Sequence, residues 1–115
     1  MAVTVKNLAR GSLTNTAAAV SGPAAGKAWI IKNLVLTNKD TVSRTMDVKL
    51  LYGATAAYLA PPALVLGAKF SVVLDDEVTL QNPSGGTAET VSIAATVTPS
   101  TGIDYVLNGV EMDLA

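Results

Sequence analysis

Apolar and polar residues alternate with a period of two in segment after segment of this chain, the pattern of strands with one buried and one open face. In SRTMDVKLLY (43–52), Met46, Val48, Leu50 and Tyr52 point one way and Ser43, Thr45, Asp47 and Lys49 the other. KFSVVLDD (69–76) repeats the pattern with Phe70, Val72 and Leu74 facing inward. ETVSIAATV (89–97) does so with Val91, Ile93, Ala95 and Val97 against Thr90, Ser92, Ala94 and Thr96. EVTLQ (77–81) adds Val78 and Leu80, and YVLNGVEMDL (105–114) sets Val110, Met112 and Leu114 against Glu111 and Asp113. Within that last strand, Gly109 marks a bulge or a close backbone approach.

Turn residues separate these runs: NKDT (38–41), Pro61-Pro62, LGAK (66–69), NPSGG (82–86) and PSTG (99–102). Short strands with turn signals about every ten residues specify a sandwich or barrel. The segments 54–60 and 15–20 are the remaining candidates for a helical turn; both are short, and two prolines close the first. The expected fold is all-β: a single jelly-roll-like antiparallel β-sandwich of about eight strands, with little or no helix, spanning residues 1–115. Residues 1–10, in which Val3 and Val5 alternate with Thr4 and Lys6, read equally as an arm that adds a strand to a neighbouring subunit and as a first strand of the chain's own sheet.

The stretch GPAAGKAWIIKNLVLTN (22–38) departs from simple alternation. A Pro23/Gly26 turn leads into a strand that is apolar on both faces, with Trp29, Ile31 and Val35 opposing Ile30, Leu34 and Leu36, interrupted only by Lys32 and Asn33. One face is expected in the core. The other meets either a neighbouring subunit or a second layer of the same chain.

Composition narrows the function. Half of the 115 residues are apolar, but with one Phe, one Trp and three Tyr they are mainly small aliphatics, which suit thin, closely packed layers. Charged residues make up 15% and the net charge is −1, against about 25% charged in an average soluble domain. No basic surface for nucleic acid is implied. No run approaches the roughly 20 apolar residues of a membrane span. With no Cys and no His, disulfides, thiolate or imidazole metal sites and the usual neutral-pH proton carrier are excluded. A nucleophile would need Lys or a carboxylate as its base, and no spacing supports one. The expectation is therefore no enzyme, no catalytic residue, no cofactor and no metal.

Two local features invite a ligand and have plainer readings. Asp75-Asp76-Glu77 offers oxygens to a calcium ion, or is a solvated turn between strands. Trp29, Tyr52, Tyr58 and Tyr105 suit a sugar-stacking platform, or plug the core from four strands.

The order of motifs resembles that of small virion structural proteins of tailed bacteriophages. The residues that carry the likeness are Pro23-Ala-Ala-Gly-Lys, Ile30-Ile-Lys-Asn-Leu-Val-Leu-Thr-Asn38, Leu64-Val-Leu-Gly-Ala, Leu74-Asp75 and Tyr105-Val-Leu-Asn-Gly-Val-Glu111. The likeness runs from about residue 13 to the end and rests on structural motifs; it departs at NPSGGTAE (82–89), where those chains carry a tighter turn. It implies a jelly-roll-like sandwich on the particle, made in the host cytoplasm. The implied role is a head decoration (cement) protein, a homotrimer on the capsid surface that contacts the major capsid protein. A tail or baseplate component is the alternative, and a carbohydrate-binding or host-adhesion module is another. Nucleic acid and membrane are not among the implied partners. Val3, Val5, Trp29, Ile31 and Val35 are the candidate interface residues.

Overall fold

A computed structural model describes residues 3–13, 19–75, 77–95 and 102–114. The expected turn residues 99–101, the end of the 89–97 strand and most of the 15–20 segment lie outside them, as do the side chains of Val3 and Val5. Ten strands follow one another: β1 (Val3–Ser12), β2 (Ala19–Ser21), β3 (Lys27–Asn38), β4 (Arg44–Tyr52), β5 (Thr55–Tyr58), β6 (Leu64–Leu66), β7 (Ser71–Leu74), β8 (Val78–Asn82), β9 (Glu89–Ala95) and β10 (Ile103–Asp113). No helix occurs among the described residues. The 54–60 segment forms the short strand β5, not a helical turn.

The strands form two antiparallel sheets, a β-sandwich. Sheet A runs β1-β10-β3, and the far side of β3 is shared end to end by β7, opposite residues 34–37, and β8, opposite residues 27–31. Sheet B runs β2-β9-β4, with β5 and β6 sharing the far side of β4. The core between them is built from Leu8, Trp29, Ile31, Leu34, Leu36, Ile103 and Leu107 of sheet A and Met46, Val48, Leu66, Val91 and Ile93 of sheet B. Only one of these is aromatic, and small residues let the layers approach closely.

The pairing of β3 with β10 corrects the expected two-faced reading of β3. The register jumps between Asn108, opposite Asn33, and Gly109, opposite Ile31, so Lys32 is an extra residue on β3. Such a β-bulge reverses the alternation downstream. Trp29 and Ile31 therefore share the inner face with Leu34 and Leu36, and all four are buried. Ile30 and Val35, with Asn33 and Thr37 between and beyond them, lie on the outer face. The two consecutive polar residues Lys32-Asn33 are the trace of this irregularity in the sequence. Gly109 sits at the closest approach: a Cβ there would lie 2.0 Å from the carbonyl oxygen of Ile30.

The entry turn of β3 forms as the sequence predicts. Gly26 has φ +79°, its N–H donates to the Asn82 carbonyl at 2.7 Å, and its own carbonyl accepts from Leu114 N–H at 2.9 Å. At the other end, Asn38 is fully buried. Its Nδ2 donates to the carbonyls of Val42 (2.8 Å), Leu66 (3.0 Å) and Gly67 (3.2 Å), and its Oδ1 accepts from Asp40 N–H (2.9 Å). One side chain thus ties the 39–43 loop to the 66–70 loop.

Residues 3–12 pair with β10 of the same chain along their length, with a register shift between Asn7 and Ala9 that leaves Leu8 unpaired. β1 is one edge of sheet A. The opposite edge is broken where β7 ends and β8 begins.

Candidate functional site

With the core settled, the outer face of sheet A is the main surface left to account for. Its residues follow from the register in rows across β1, β10, β3 and the far edge. A polar row of Ser12, Asp104, Thr37 and Ser71 comes first. Behind it lie Val106, Val35 and Val73, with Arg10 at the edge, and Val73 is 55% exposed. Next is a ladder of asparagines: Asn7 Nδ2 donates to Asn108 Oδ1 at 3.0 Å, and Asn108 Nδ2 to Asn33 Oδ1 at 2.9 Å. Beyond the ladder come Val110 and Ile30, then Met112 and Ala28. The backbone positions of Val5 and Val3 stand opposite Val110 and Met112.

The face therefore carries two apolar bands separated by a hydrogen-bonded polar seam. A shallow, open depression lies at its Ser12 end, lined by Arg10, Ser12, Lys39, Asp104 and Val106. The face offers apolar area, and a seam of asparagines bonded to one another, to a partner surface.

Of the candidate interface residues, Val35 lies on this outer face. Trp29, 6% exposed, and Ile31 belong to the core, a correction whose cause is the bulge at Lys32. Trp29 keeps its indole N–H satisfied by donating to Glu111 Oε2 at 3.0 Å. Val3 and Val5 are placed by backbone register alone.

A second apolar feature lies at the end of the sandwich. Phe70, expected to face inward, is 67% exposed. It precedes β7 in a tight turn in which Lys69 has φ +62°, and its N–H donates to Gly67 O at 3.1 Å. The left-handed Lys69 turns the chain so that the alternation begins only at Ser71. Val42 and Val65 are the other exposed aliphatics of the adjoining segments.

The four aromatics do not form one platform. Trp29 is buried and Tyr105 packs on the core, while Tyr52 and Tyr58 are exposed. Tyr58 stands opposite Lys49, whose Nζ lies 5.1 Å from its ring centroid. Tyr52 is in phase with the inward Met46 and Val48 and ends the strand. In the acidic cluster, Glu77 pairs with Lys32 at 2.5 Å, and Asp76 lies outside the described residues. No group of three metal-ligating side chains occurs among those described.

Charges gather at the Asn38 end. The Ser12 hydroxyl donates to Asp104, and Lys39 Nζ lies 3.1 Å from the same carboxylate; together, the hydroxyl first, they hold Asp104 below its ordinary value of 3.8. Asp40 is likewise lowered, by Arg44 and then by the N–H of Thr41. A depressed folded pKa contributes stability that is present above the ordinary value and lost as pH falls through the folded one. The urea midpoint should thus hold steady down to about pH 5 and fall below about pH 4. Asp104→Asn should flatten part of that fall; an acid limb identical to that of the parent chain would rule these carboxylates out as its source.

No protein-family model matches the chain, and no curated protein sequence does. Among solved structures it is similar to the core of Drosophila NLP, whose crystal structure is described as giving insight into pentamer formation and histone binding. The two share 16% identity over 91% of this chain and 98% of that one, with a TM-score of 0.52. At that identity the likeness is one of fold: the chain is a β-sandwich of the same general architecture as the NLP core.

Proposed function

We propose that this chain is a virion structural protein of a tailed bacteriophage, a head decoration protein that binds the outside of the capsid and clamps the shell against the pressure of packaged DNA. The observation that carries the reading is the outer face of sheet A, banded with apolar residues and built around an asparagine seam. The motif order from residue 13 onward supports the phage assignment, and the low charge supports a surface that spends its life covered. Such a protein works through many modest contacts in parallel, each on the order of 800 Å² per partner.

Self-association belongs to the same proposal. Three copies suit threefold positions of a shell; five copies, the state named for the NLP core, is the alternative that a mass measurement separates. Histone-like basic partners have little support, because a net charge of −1 provides no strong acidic field.

The test is co-sedimentation of the purified protein with undecorated, expanded capsids of its phage. Saturable binding is expected. Val73→Lys should weaken it by on the order of tenfold with little change in melting. Val20→Lys, at an equally exposed position on sheet B, should leave it intact. Binding to tails alone would move the assignment to the tail. Glycan binding lost in Tyr58→Ala would move it to adhesion, and equal loss in both lysine variants would reject the outer face of sheet A.

A further inference from the structure

We infer that the interior of the sandwich holds a binding cavity for a small, uncharged, apolar molecule: a single aromatic ring or a short alkyl chain. A space of about 250 Å³ lies between the sheets, lined by Ile31, Leu34, Leu74, Val78, Val91, Leu107 and the Tyr58-Leu59 corner.

Two features already described create it. The extra residue at Lys32 separates Ile31 from Leu34 by three positions instead of two, so neighbouring inward side chains stand further apart at that point. On the far edge, β7 ends at Leu74 and β8 begins at Val78, so the sheet is parted where the space reaches the surface. Sheet B covers it with Val91, with Tyr58 at the end of β5 and with Leu59 just beyond.

The lining specifies the ligand. Seven of the eight lining residues are aliphatic, and none carries a charge. Tyr58, at the exposed lip, supplies the one polar side chain. A cavity lined mainly by aliphatic side chains takes up ring-sized hydrocarbons readily. A charged or strongly polar ligand would lose its hydration without compensation.

Toluene is the probe. In methyl-labelled protein it should shift the methyl resonances of Ile31, Leu34, Val91 and Leu107 in a saturable way. A tenfold excess over Kd should raise the melting temperature by about 5 °C. Val78→Phe, placed at the mouth, should fill the space, lower toluene affinity at least tenfold and keep the melting temperature of the free protein. Should that variant fail to fold, Leu74→Phe serves the same purpose from the other lip, and the methyl map of the unaltered chain stands independently. Absence of saturable shifts, shifts confined to Val35, Val73 and Val106 of the outer face, or unchanged affinity in a folded filled variant would each overturn the inference. So would intermolecular contacts from a second copy occupying the space and excluding toluene.

Discussion

Gly109→Ala should leave little folded protein. The added methyl would lie 2.0 Å from the carbonyl oxygen of Ile30, 3.0 Å from its carbon and 3.1 Å from Ile31 Cα. All three are backbone atoms of the central strand of sheet A, so relief requires moving β3 away from β10 along their longest common pairing. Overpacking usually costs about 1–3 kcal/mol where side chains can yield. Here none can, and the expected loss is about 3 kcal/mol or more, set against the roughly 5–15 kcal/mol that holds a domain together. Gly11→Ala provides the contrast: its Cβ would meet the hydroxyl end of Tyr105 at 2.9 Å, a side-chain tip that can swing. Urea denaturation of the two variants distinguishes them. Equal midpoints would mean that the bulge relaxes far more easily than its geometry implies.

Asn38→Leu should be the next most damaging change, by about 2–4 kcal/mol. The substitution removes four hydrogen bonds from a fully buried amide. Two amide hydrogens serve three carbonyls, so one is shared. The Leu66 carbonyl is the most deeply buried acceptor and has the least access to replacement water; an acceptor left unpaired costs about 1–3 kcal/mol. Asn38→Asp separates hydrogen bonding from size. It keeps the shape but turns an oxygen toward those carbonyls, which raises the folded pKa of the new carboxyl. Its penalty is then greatest at neutral pH and shrinks as pH falls toward 5, opposite in sign to the acid limb set by Asp40 and Asp104. A variant that loses stability monotonically from pH 7 to 5 would contradict this role for Asn38.

Much of the fold could be read from period-two alternation, because most strands have one face in the core and one outside. Met46 with Val48, Val91 with Ile93, and Val78 with Leu80 face inward as expected, and Gly109 is the close approach that its place in β10 suggested. Alternation failed wherever the backbone inserts or reverses a residue. At Lys32 an extra residue moves Trp29 and Ile31 onto the same face as Leu34 and Leu36, which local periodicity cannot register; the only trace is the polar pair Lys32-Asn33. At Phe70 a left-handed Lys69 delays the start of β7. The asparagine ladder joins residues 7, 33 and 108, and only strand order brings them together. Val35 alone among the described candidate interface side chains lies on the outer face of sheet A, since the phase of β3 had first to be known.

Both edges of sheet A are broken, and this bears on how the protein behaves when copies are crowded together. β1 is 10 residues long but changes register at Leu8; the other edge consists of a 4-residue and a 5-residue strand that do not join. A foreign strand approaching either side finds no long straight template, and regular cross-strand growth halts after a few residues. Broken edges of this kind disfavour growth into fibrils, so that crowding of identical copies need not become aggregation.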